Sequence, residues 1–189
     1  RRVAEGDLEG ARAYLEEALA KRPESAALRF VAAGLQATEG DRAGAAEAFR
    51  ALLAEDPSRE YAWLALIRLH AAAGEQEAAD AALEEALEAL PASANLLWAR
   101  AGRLERAGDI AGAIEIYERL YAANSDALIV ANNLASLVSS YDETPEGLER
   151  AYRIARRLRG REVPAFQDTY GWIAFRLGNH EEALSYLEP

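Results

Sequence analysis

The stretch AGDIAGAIEIYERL, residues 107–120, decides the fold. Gly108 is the residue type that takes the left-handed conformation just past the C-terminus of a helix. Asp109 is a favourable N-cap for the helix that follows, and the apolar residues after it recur at helical spacing. The stretch therefore predicts the end of one helix, a tight turn, and the start of a second, amphipathic helix.

The same turn is repeated along the chain, and each copy follows the last by 34 residues. The four copies are Gly6-Asp7, Gly40-Asp41, Gly74-Glu75 and Gly108-Asp109. Small, bulky and proline positions repeat in the same register, without insertion or deletion between residues 6 and 127. These columns are Gly10, Gly44, Ala78 and Gly112, then Ala11, Ala45, Ala79 and Ala113, then Leu15, Phe49, Leu83 and Tyr117, then Pro23, Pro57, Pro91 and Ser125. A fixed period of this length indicates an array of stacked helical units.

Each unit is predicted to contain two helices. The second helix runs from the acidic cap towards the proline, which cannot continue a helix and suits the start of the next one. In the unit that follows Pro57, the first helix is expected over residues 58–73. Fixed alanine columns let two helix backbones approach closely, and bulky columns fill the spaces opposite. We therefore expect the fixed columns to be packing positions.

The period and its residues resemble the tetratricopeptide repeat. The third unit carries the family pattern at Trp63, Leu66, Ile67, Gly74, Ala79, Leu83, Ala86 and Pro91, and the small residue of that pattern is elsewhere Ala33, Ala101, Ala135 and Gly171. Ile67 and Arg100 depart from the pattern. The resemblance implies an all-α fold, a right-handed superhelical solenoid of about five to six stacked antiparallel helix pairs. We expect one solenoid over residues 1–189, with units at about 1–25, 26–59, 60–93, 94–127, 128–163 and 164–189, the first and last being partial.

The fifth unit is irregular, because it lacks the Gly-Asp turn and is expected to contain a longer loop, SSYDETPEG, at residues 139–147. Thr144 is the predicted cap of its second helix, with Pro145 in the first turn. The sixth unit restores the turn as Gly178-Asn179, and Glu182 is expected to complete a capping box with Asn179. The stretches NNLASL, residues 132–137, and 165–189 resemble the C-terminal units of bacterial tetratricopeptide proteins, many of them linked to the cell envelope or to polysaccharide export.

The resemblance implies a protein-binding scaffold, since the first helices of such proteins line a concave groove that commonly holds an extended peptide or a partner helix. Three columns of these helices vary between units and are free to be functional. They are Ala27, Tyr61, Asn95, Ile129 and Ala165, then Phe30, Leu64, Trp98, Asn132 and Asp168, then Gly34, Arg68, Gly102, Ser136 and Trp172. The predicted peptide-binding groove consists of Tyr61, Arg68, Asn95, Trp98, Asn132 and Asn133. Phe30 and Trp63 are expected to pack between units, whereas both roles stay open for Trp98.

Charge suggests a second interaction surface. Residues 150–161 contain six arginines and no acidic residue, whereas residues 69–99 contain six acidic residues and no lysine or arginine. Both stretches fall on second helices, so they are expected on the convex side. The predicted patch for an anionic partner is Arg150, Arg153, Arg156 and Arg157. A solvated face, a phosphate or polysaccharide ligand, and the acidic stretch of another copy are the alternatives.

No catalytic, cofactor or metal site is predicted. The chain has no cysteine, which suits either the cytoplasm or the periplasm, and its only histidines, His70 and His180, have no partner at catalytic spacing. A net charge of −11 argues against non-specific nucleic-acid binding, and no apolar run is long enough for a membrane span. The chain begins without Met and stops within a helical pattern, so we expect a part of a longer protein. A self-assembling scaffold, with a possible homo-oligomer, and the adaptor arm of a larger enzyme or envelope or export complex are the alternative functions.

Overall fold

The computed structural model describes residues 8–187, so the first predicted turn, Gly6-Asp7, lies outside the described residues. Within that range every regular element is helical. The α-helices are α1 (Leu8–Lys21), α2 (Ala26–Thr38), α3 (Arg42–Glu55), α4 (Glu60–Ala73), α5 (Gln76–Ala89), α6 (Ala94–Ala107), α7 (Ile110–Ala123), α8 (Leu128–Tyr141), α9 (Pro145–Ala155), α10 (Pro164–Arg176) and α11 (His180–Leu187). A short 3₁₀ turn, Arg156–Leu158, follows α9. None of these helices is both long and apolar enough to span a membrane.

The chain divides into two compact units, Arg1–Leu96 and Leu97–Pro189, and the division falls within α6. In the first unit, α2 packs on α3 and α4 packs on α5. In the second unit, α8 packs on α9 and α10 packs on α11. These are four of the predicted helix pairs, and a single solenoid over the whole chain stays a prediction.

The Gly108-Asp109 turn has the predicted geometry. Gly108 follows α6 with a φ of 79°, in the left-handed region that is unfavourable for a residue with a side chain. The carboxylate of Asp109 accepts a hydrogen bond from the backbone N–H of Gly112 at 3.0 Å, which caps the first turn of α7. The predicted helix end, turn and cap are therefore confirmed at this position.

Gly44 and Gly112, which follow the capping aspartates by three residues, are glycines for a reason other than backbone conformation. A Cβ at Gly44 would lie only 2.3 Å from a carboxylate oxygen of its capping residue, Asp41. The third unit has Ala78 in this column, and its turn residue Glu75 makes no side-chain cap bond. The Glu75 carboxylate instead contacts Nδ1 of His70 at 2.7 Å. Glycine therefore accompanies a capping aspartate because the carboxylate occupies the space that a side chain would need.

The first helix of the third unit begins later than expected. α4 starts at Glu60 rather than near Ser58. The carboxylate of Asp56 accepts hydrogen bonds from the backbone N–H of Ser58 at 3.0 Å and from its hydroxyl at 2.6 Å. These bonds hold a turn just after α3, so the helix begins only when the turn is complete.

The fifth unit has a shorter connection than the sequence suggests. α8 continues to Tyr141, and Ser139 is buried within it, so the expected loop over residues 139–147 is reduced to three residues. The hydroxyl of Thr144 accepts a hydrogen bond from the backbone N–H of Gly147 at 3.1 Å. The predicted cap of α9 is therefore confirmed, whereas the long loop is wrong.

The expected capping box at the start of α11 is also wrong. The backbone N–H of Asn179 donates to the carbonyl of Ala174 at 2.9 Å. The carboxylate of Glu182 accepts hydrogen bonds from the hydroxyls of Tyr152 and Tyr170, each at 2.7 Å. Partners on other helices therefore replace the local partner that the spacing suggested.

The fixed alanine and bulky columns contribute to the core, as predicted, whereas the prolines of the proline column are exposed. Ala45 and Ala113 are fully buried, and Phe49 is nearly so. Trp63 is only 6% exposed, and its indole N–H donates to the carbonyl of Pro57 at 2.9 Å. The expected packing role of Trp63 is therefore confirmed.

Candidate peptide-binding surface

The three variable columns of the first helices all lie on the surface. Their fifteen residues belong to the described part of the chain, and each keeps at least a partly exposed side chain or backbone. The columns are separated by three and four residues, so they share one face of each helix. This face differs from the fixed alanine and bulky columns, because its residue types change from unit to unit and none of its residues is buried.

In the first compact unit the predicted residues are Tyr61, Arg68 and Asn95. Tyr61 is 42% exposed, and its ring meets the ring of Phe30 edge-on at 4.8 Å. The Asn95 side chain donates to a carboxylate oxygen of Glu60 at 2.6 Å. Arg68 is exposed on α4. Phe30 therefore packs as expected and supports Tyr61, whereas the Asn95 amide is already engaged with Glu60.

In the second compact unit the structure brings Trp98 and Asn133 together around Tyr117. The Trp98 ring packs edge-on against the Tyr117 ring at 5.5 Å and stays 38% exposed. The Tyr117 hydroxyl donates to Glu105 at 2.7 Å and accepts from the side-chain amide of Asn133 at 3.1 Å. Trp98 therefore packs on Tyr117 of its own unit and keeps a part exposed to solvent, and its place in the groove stays a prediction.

Asn132, which is next to Asn133, has a side-chain oxygen that lacks a hydrogen-bond partner among the described residues. Its amide nitrogen donates to the side-chain oxygen of Asn133 at 3.4 Å. Its own Oδ1 is buried and has no hydrogen-bond partner among the described residues. A buried acceptor left in this state costs about 1–3 kcal/mol. We call Trp98, Glu105, Tyr117, Asn132 and Asn133 the Tyr117 cluster.

Burial makes the Tyr117 hydroxyl harder to ionise. It raises the pKa of Tyr117 to about 12, and the neighbouring Glu105 carboxylate also raises this pKa, whereas the hydrogen bond from Asn133 lowers it. The hydroxyl therefore stays protonated at neutral pH and can donate to Glu105 throughout. The donor and acceptor roles around Tyr117 are fixed by this arrangement, and within the cluster Asn132 Oδ1 is the oxygen that is left without a hydrogen-bond partner among the described residues.

The predicted arginine patch is only partly available. Arg150 and Arg153 lie on α9, and Arg156 and Arg157 lie in the 3₁₀ turn. Arg150 forms an ion pair with Glu118, and Arg157 forms one with Asp126 at 3.1 Å. Two of the four guanidinium groups are therefore paired with carboxylates outside α9 and the 3₁₀ turn, and do not extend freely into solvent.

Trp172 is an exposed aromatic residue that the predicted groove omits. It is 46% exposed on α10, and its ring stacks on that of Phe175 with centroids 5.8 Å apart. The guanidinium of Arg176 lies over the Trp172 ring at 5.9 Å. Its place in a variable column was the signal that could have selected it.

A second tyrosine-centred group lies among α9, α10 and α11, and nothing in the sequence pattern points to it. We call Tyr152, Arg159, Tyr170 and Glu182 the Tyr170 cluster. Both oxygens of Glu182 accept tyrosine hydroxyls, and Arg159 lies 3.4 Å from one of them. The hydrogen bonds from Tyr170 and Tyr152 hold the pKa of Glu182 below its usual value, and burial raises that of Tyr170.

Comparison with known proteins adds the family. Residues 1–60 and 64–127 match the sequence model described as "Tetratricopeptide repeat". The chain belongs to the tetratricopeptide repeat family. This tetratricopeptide chain is 30% identical over 117 residues to TPR repeat-containing protein PA4667 of Pseudomonas aeruginosa. The match covers 60% of this chain but 19% of the relative, so the chain spans about a fifth of that protein's length.

Solved structures share the fold of this tetratricopeptide chain. PilF of Pseudomonas aeruginosa has a TM-score of 0.70 at 21% identity, over 98% of this chain and 83% of that one. YrrB, described as a TPR protein with an unusual peptide-binding site, has a TM-score of 0.66 at 16% identity, over 92% and 89% of the two chains. At these identities the similarity concerns the fold, and it confirms the predicted all-α tetratricopeptide fold.

Proposed function

We propose that this tetratricopeptide chain is a non-catalytic scaffold that binds an extended segment of a partner protein on the exposed face of its first helices. The observation that carries the proposal is Asn132 Oδ1, a buried acceptor without a partner among the described residues, in the same cluster as the exposed ring of Trp98. Because this oxygen is closed to solvent in the free protein, the Asn132 side chain would have to turn outwards on binding, and a backbone N–H of the bound segment would then supply the missing donor. The tetratricopeptide fold, which is typical of protein-interaction scaffolds, supports this function.

The Tyr117 cluster suits such a ligand because it is ordered before binding. Trp98 rests on Tyr117, and the Tyr117 hydroxyl is held between Glu105 and Asn133. An aromatic anchor that is already fixed loses little side-chain entropy when a partner packs on it. Binding would also remove the cost of the unpaired acceptor, which is about 1–3 kcal/mol.

The surrounding groups support binding rather than catalysis. Glu105, the carboxylate of the cluster, accepts a hydrogen bond from Tyr117. The Asn133 amide is likewise engaged with Tyr117. These contacts position an aromatic surface and an amide acceptor, which are groups that recognise a peptide backbone and its apolar side chains.

Self-assembly is a second candidate function, favoured by exposed apolar side chains on the last two helices. Phe175 on α10 and Leu184 on α11 are both largely exposed. If these residues meet in a second copy, the molecular mass in light scattering should rise with protein concentration, and Leu184→Glu should prevent the rise. A constant monomer mass over the micromolar range would exclude this function. The adaptor arm of a larger enzyme or envelope complex is a narrower proposal, compatible with a chain that spans 19% of its relative.

Peptide selection tests the scaffold proposal with ligands drawn from a random library. Twelve-residue peptides displayed on phage would be selected against the wild-type protein, and binders would be measured by fluorescence anisotropy. Trp98→Ala should weaken binding at least about tenfold, which corresponds to about 1.4 kcal/mol. Tyr141→Ala is the matched control, because Tyr141 is an exposed aromatic residue outside the variable columns. Equal loss in both variants, or no loss in Trp98→Ala, would contradict the proposal.

A further inference from the structure

A cleft of about 360 Å³ lies between α7, α8 and α9, apart from the Tyr117 cluster. Leu134 and Ile154 are buried and form its apolar floor, and the ring of Tyr121 adds to its wall. Glu118, Arg150 and Arg153 complete the lining. Ligand pockets of roughly 300–1,000 Å³ are usual for small molecules, so this cleft suits one or two side chains of a bound segment.

The charged side chains at the mouth of the cleft differ in how firmly they are paired. Glu118 is neutralised by its ion pair with Arg150. The Arg153 side chain is 65% exposed, and its ion pair with Glu149 spans 3.9 Å. Such a long, exposed pair contributes little and is easily exchanged for another carboxylate. Arg153 is therefore the cation at the mouth that a ligand can engage.

The wall of the cleft is held in place by a second arginine. Arg157 Nε donates to the Tyr121 hydroxyl at 2.9 Å, and the Arg157 guanidinium lies 5.9 Å from the centre of the Tyr121 ring. The Nη1 atom of Arg157 pairs with the Asp126 carboxylate. Tyr121 is thus fixed beside an apolar floor and an exposed guanidinium, which makes the cleft a preformed amphipathic site.

We propose that this cleft is a second binding site, which takes an acidic peptide segment with one apolar side chain. The apolar side chain would pack on Leu134 and Ile154, and a carboxylate next to it would pair with Arg153. We call it the Arg153 cleft. It shares no residue with the Tyr117 cluster, so it stands independently of the scaffold function proposed for the first helices.

The chemistry of the cleft favours such a segment over the alternative ligands. The chain carries a net charge of −11, and Arg153 is the lining arginine whose ion pair is long and exposed, so a carboxylate of the ligand can replace Glu149 there. A phosphate has no apolar group that would use the buried floor, and a polysaccharide has no aliphatic side chain that would fill it. The acidic helix α5 of a second copy exposes Glu77, Ala81 and Glu88, and so offers no large apolar side chain either.

Peptide selection with a depletion step tests the proposal. A random twelve-residue phage library would first be depleted on an Arg153→Glu variant and then selected on the wild-type protein. The enriched peptides should be acidic and contain an apolar residue. In anisotropy measurements Arg153→Glu should weaken them at least about tenfold, as expected when an ion pair becomes a repulsion. Arg42→Glu, which makes the same charge change at an exposed site on α3, should leave their affinity within about twofold.

The remaining measurements separate the proposal from its alternatives. Neutral or basic enriched peptides, or equal binding by wild type and Arg153→Glu, would overturn it. Heparin and inorganic polyphosphate serve as probes, and binding of either that depends on Arg153 without peptide enrichment would assign the cleft to polyanions instead. Self-association that disappears in Arg153→Glu would assign it to a second copy. Trp98→Ala should leave the affinity of these peptides unchanged, so the two proposed sites can fail separately.

Discussion

The second compact unit contains two tyrosine-centred clusters, and they differ in whether their polar groups are all engaged. In the Tyr170 cluster both oxygens of Glu182 accept hydroxyls, and Arg159 pairs with one of them. In the Tyr117 cluster the tyrosine hydroxyl is equally well held, but the neighbouring Asn132 Oδ1 is buried without a partner among the described residues.

We interpret this difference as the one between a cluster that holds helices together and the cluster that we propose as a binding site. The Tyr170 cluster joins α9, α10 and α11, and each oxygen of its carboxylate already has a partner. The Tyr117 cluster carries an unsatisfied acceptor and an exposed indole, which lowers the stability of the free protein and suits a partner that supplies a donor. A variant of the closed cluster should therefore affect folding, whereas a variant of the open one should affect binding.

The largest expected effect is in the closed cluster. Glu182→Ala removes two hydrogen bonds to a charged acceptor and leaves the buried Tyr170 hydroxyl without its main partner. We expect the free energy of unfolding to fall by about 2 kcal/mol. Urea denaturation followed by circular dichroism measures it, with Glu181→Ala as the control because Glu181 is exposed. Equal stability of the two variants would show that the cluster is not a structural lock.

The same cluster should make stability depend on acidity. Hydrogen bonds from Tyr170 and then Tyr152 hold the pKa of Glu182 below its ordinary value of 4.5 in the folded protein. The ionised carboxylate therefore stabilises the fold fully above that value, and the stabilisation is lost as the pH falls below it through the folded pKa. The difference in unfolding free energy between wild type and Glu182→Gln should shrink in that window. A difference that grows on acidification would contradict the assigned hydrogen bonds.

A second comparison concerns two glycines, one that a turn requires, Gly108, and one inside helix α6, Gly102. Gly108→Ala should lower the unfolding free energy by about 1 kcal/mol, because φ is 79° at this position. Gly102→Ala on the variable face should raise it by up to about 1 kcal/mol, since this glycine lies inside a helix. A Cβ at Gly102 would meet only the end of Arg106, at 3.4 Å. Thermal unfolding compares them, and changes of the same sign would contradict this account of the turn.

The turns and the core could be predicted because local rules decide them. Gly108 and Asp109 are selected by backbone conformation and capping, and Ala113 by close packing of helices. Each of these constraints recurs in most of the units, so it leaves a period in the sequence. The Tyr170 cluster leaves none, because Tyr152 and Glu182 are 30 residues apart and meet only once.

The sequence could predict which residues lie on the candidate surfaces, but not which hydrogen bonds and ion pairs they form. A variable column marked Asn132, yet its buried and unpaired oxygen depends on Asn133 turning towards Tyr117. A count of arginines marked residues 150–161, yet it could not show that Arg150 pairs with Glu118. Pairing across helices is a tertiary property, so a sequence pattern reveals the charge and not its availability.

The most direct test of the open cluster measures stability and binding on the same variant, Asn132→Ala. Removing the unpaired acceptor should leave the unfolding free energy unchanged or raise it by up to about 1 kcal/mol. The same change should weaken binding at least about tenfold for the peptides whose binding depends on Trp98, which were selected against the wild-type protein without depletion. Asn133→Ala is the matched control, and it should lower stability because Tyr117 loses a hydrogen bond. An Asn132→Ala protein that is less stable and binds these peptides as well as wild type would contradict the account.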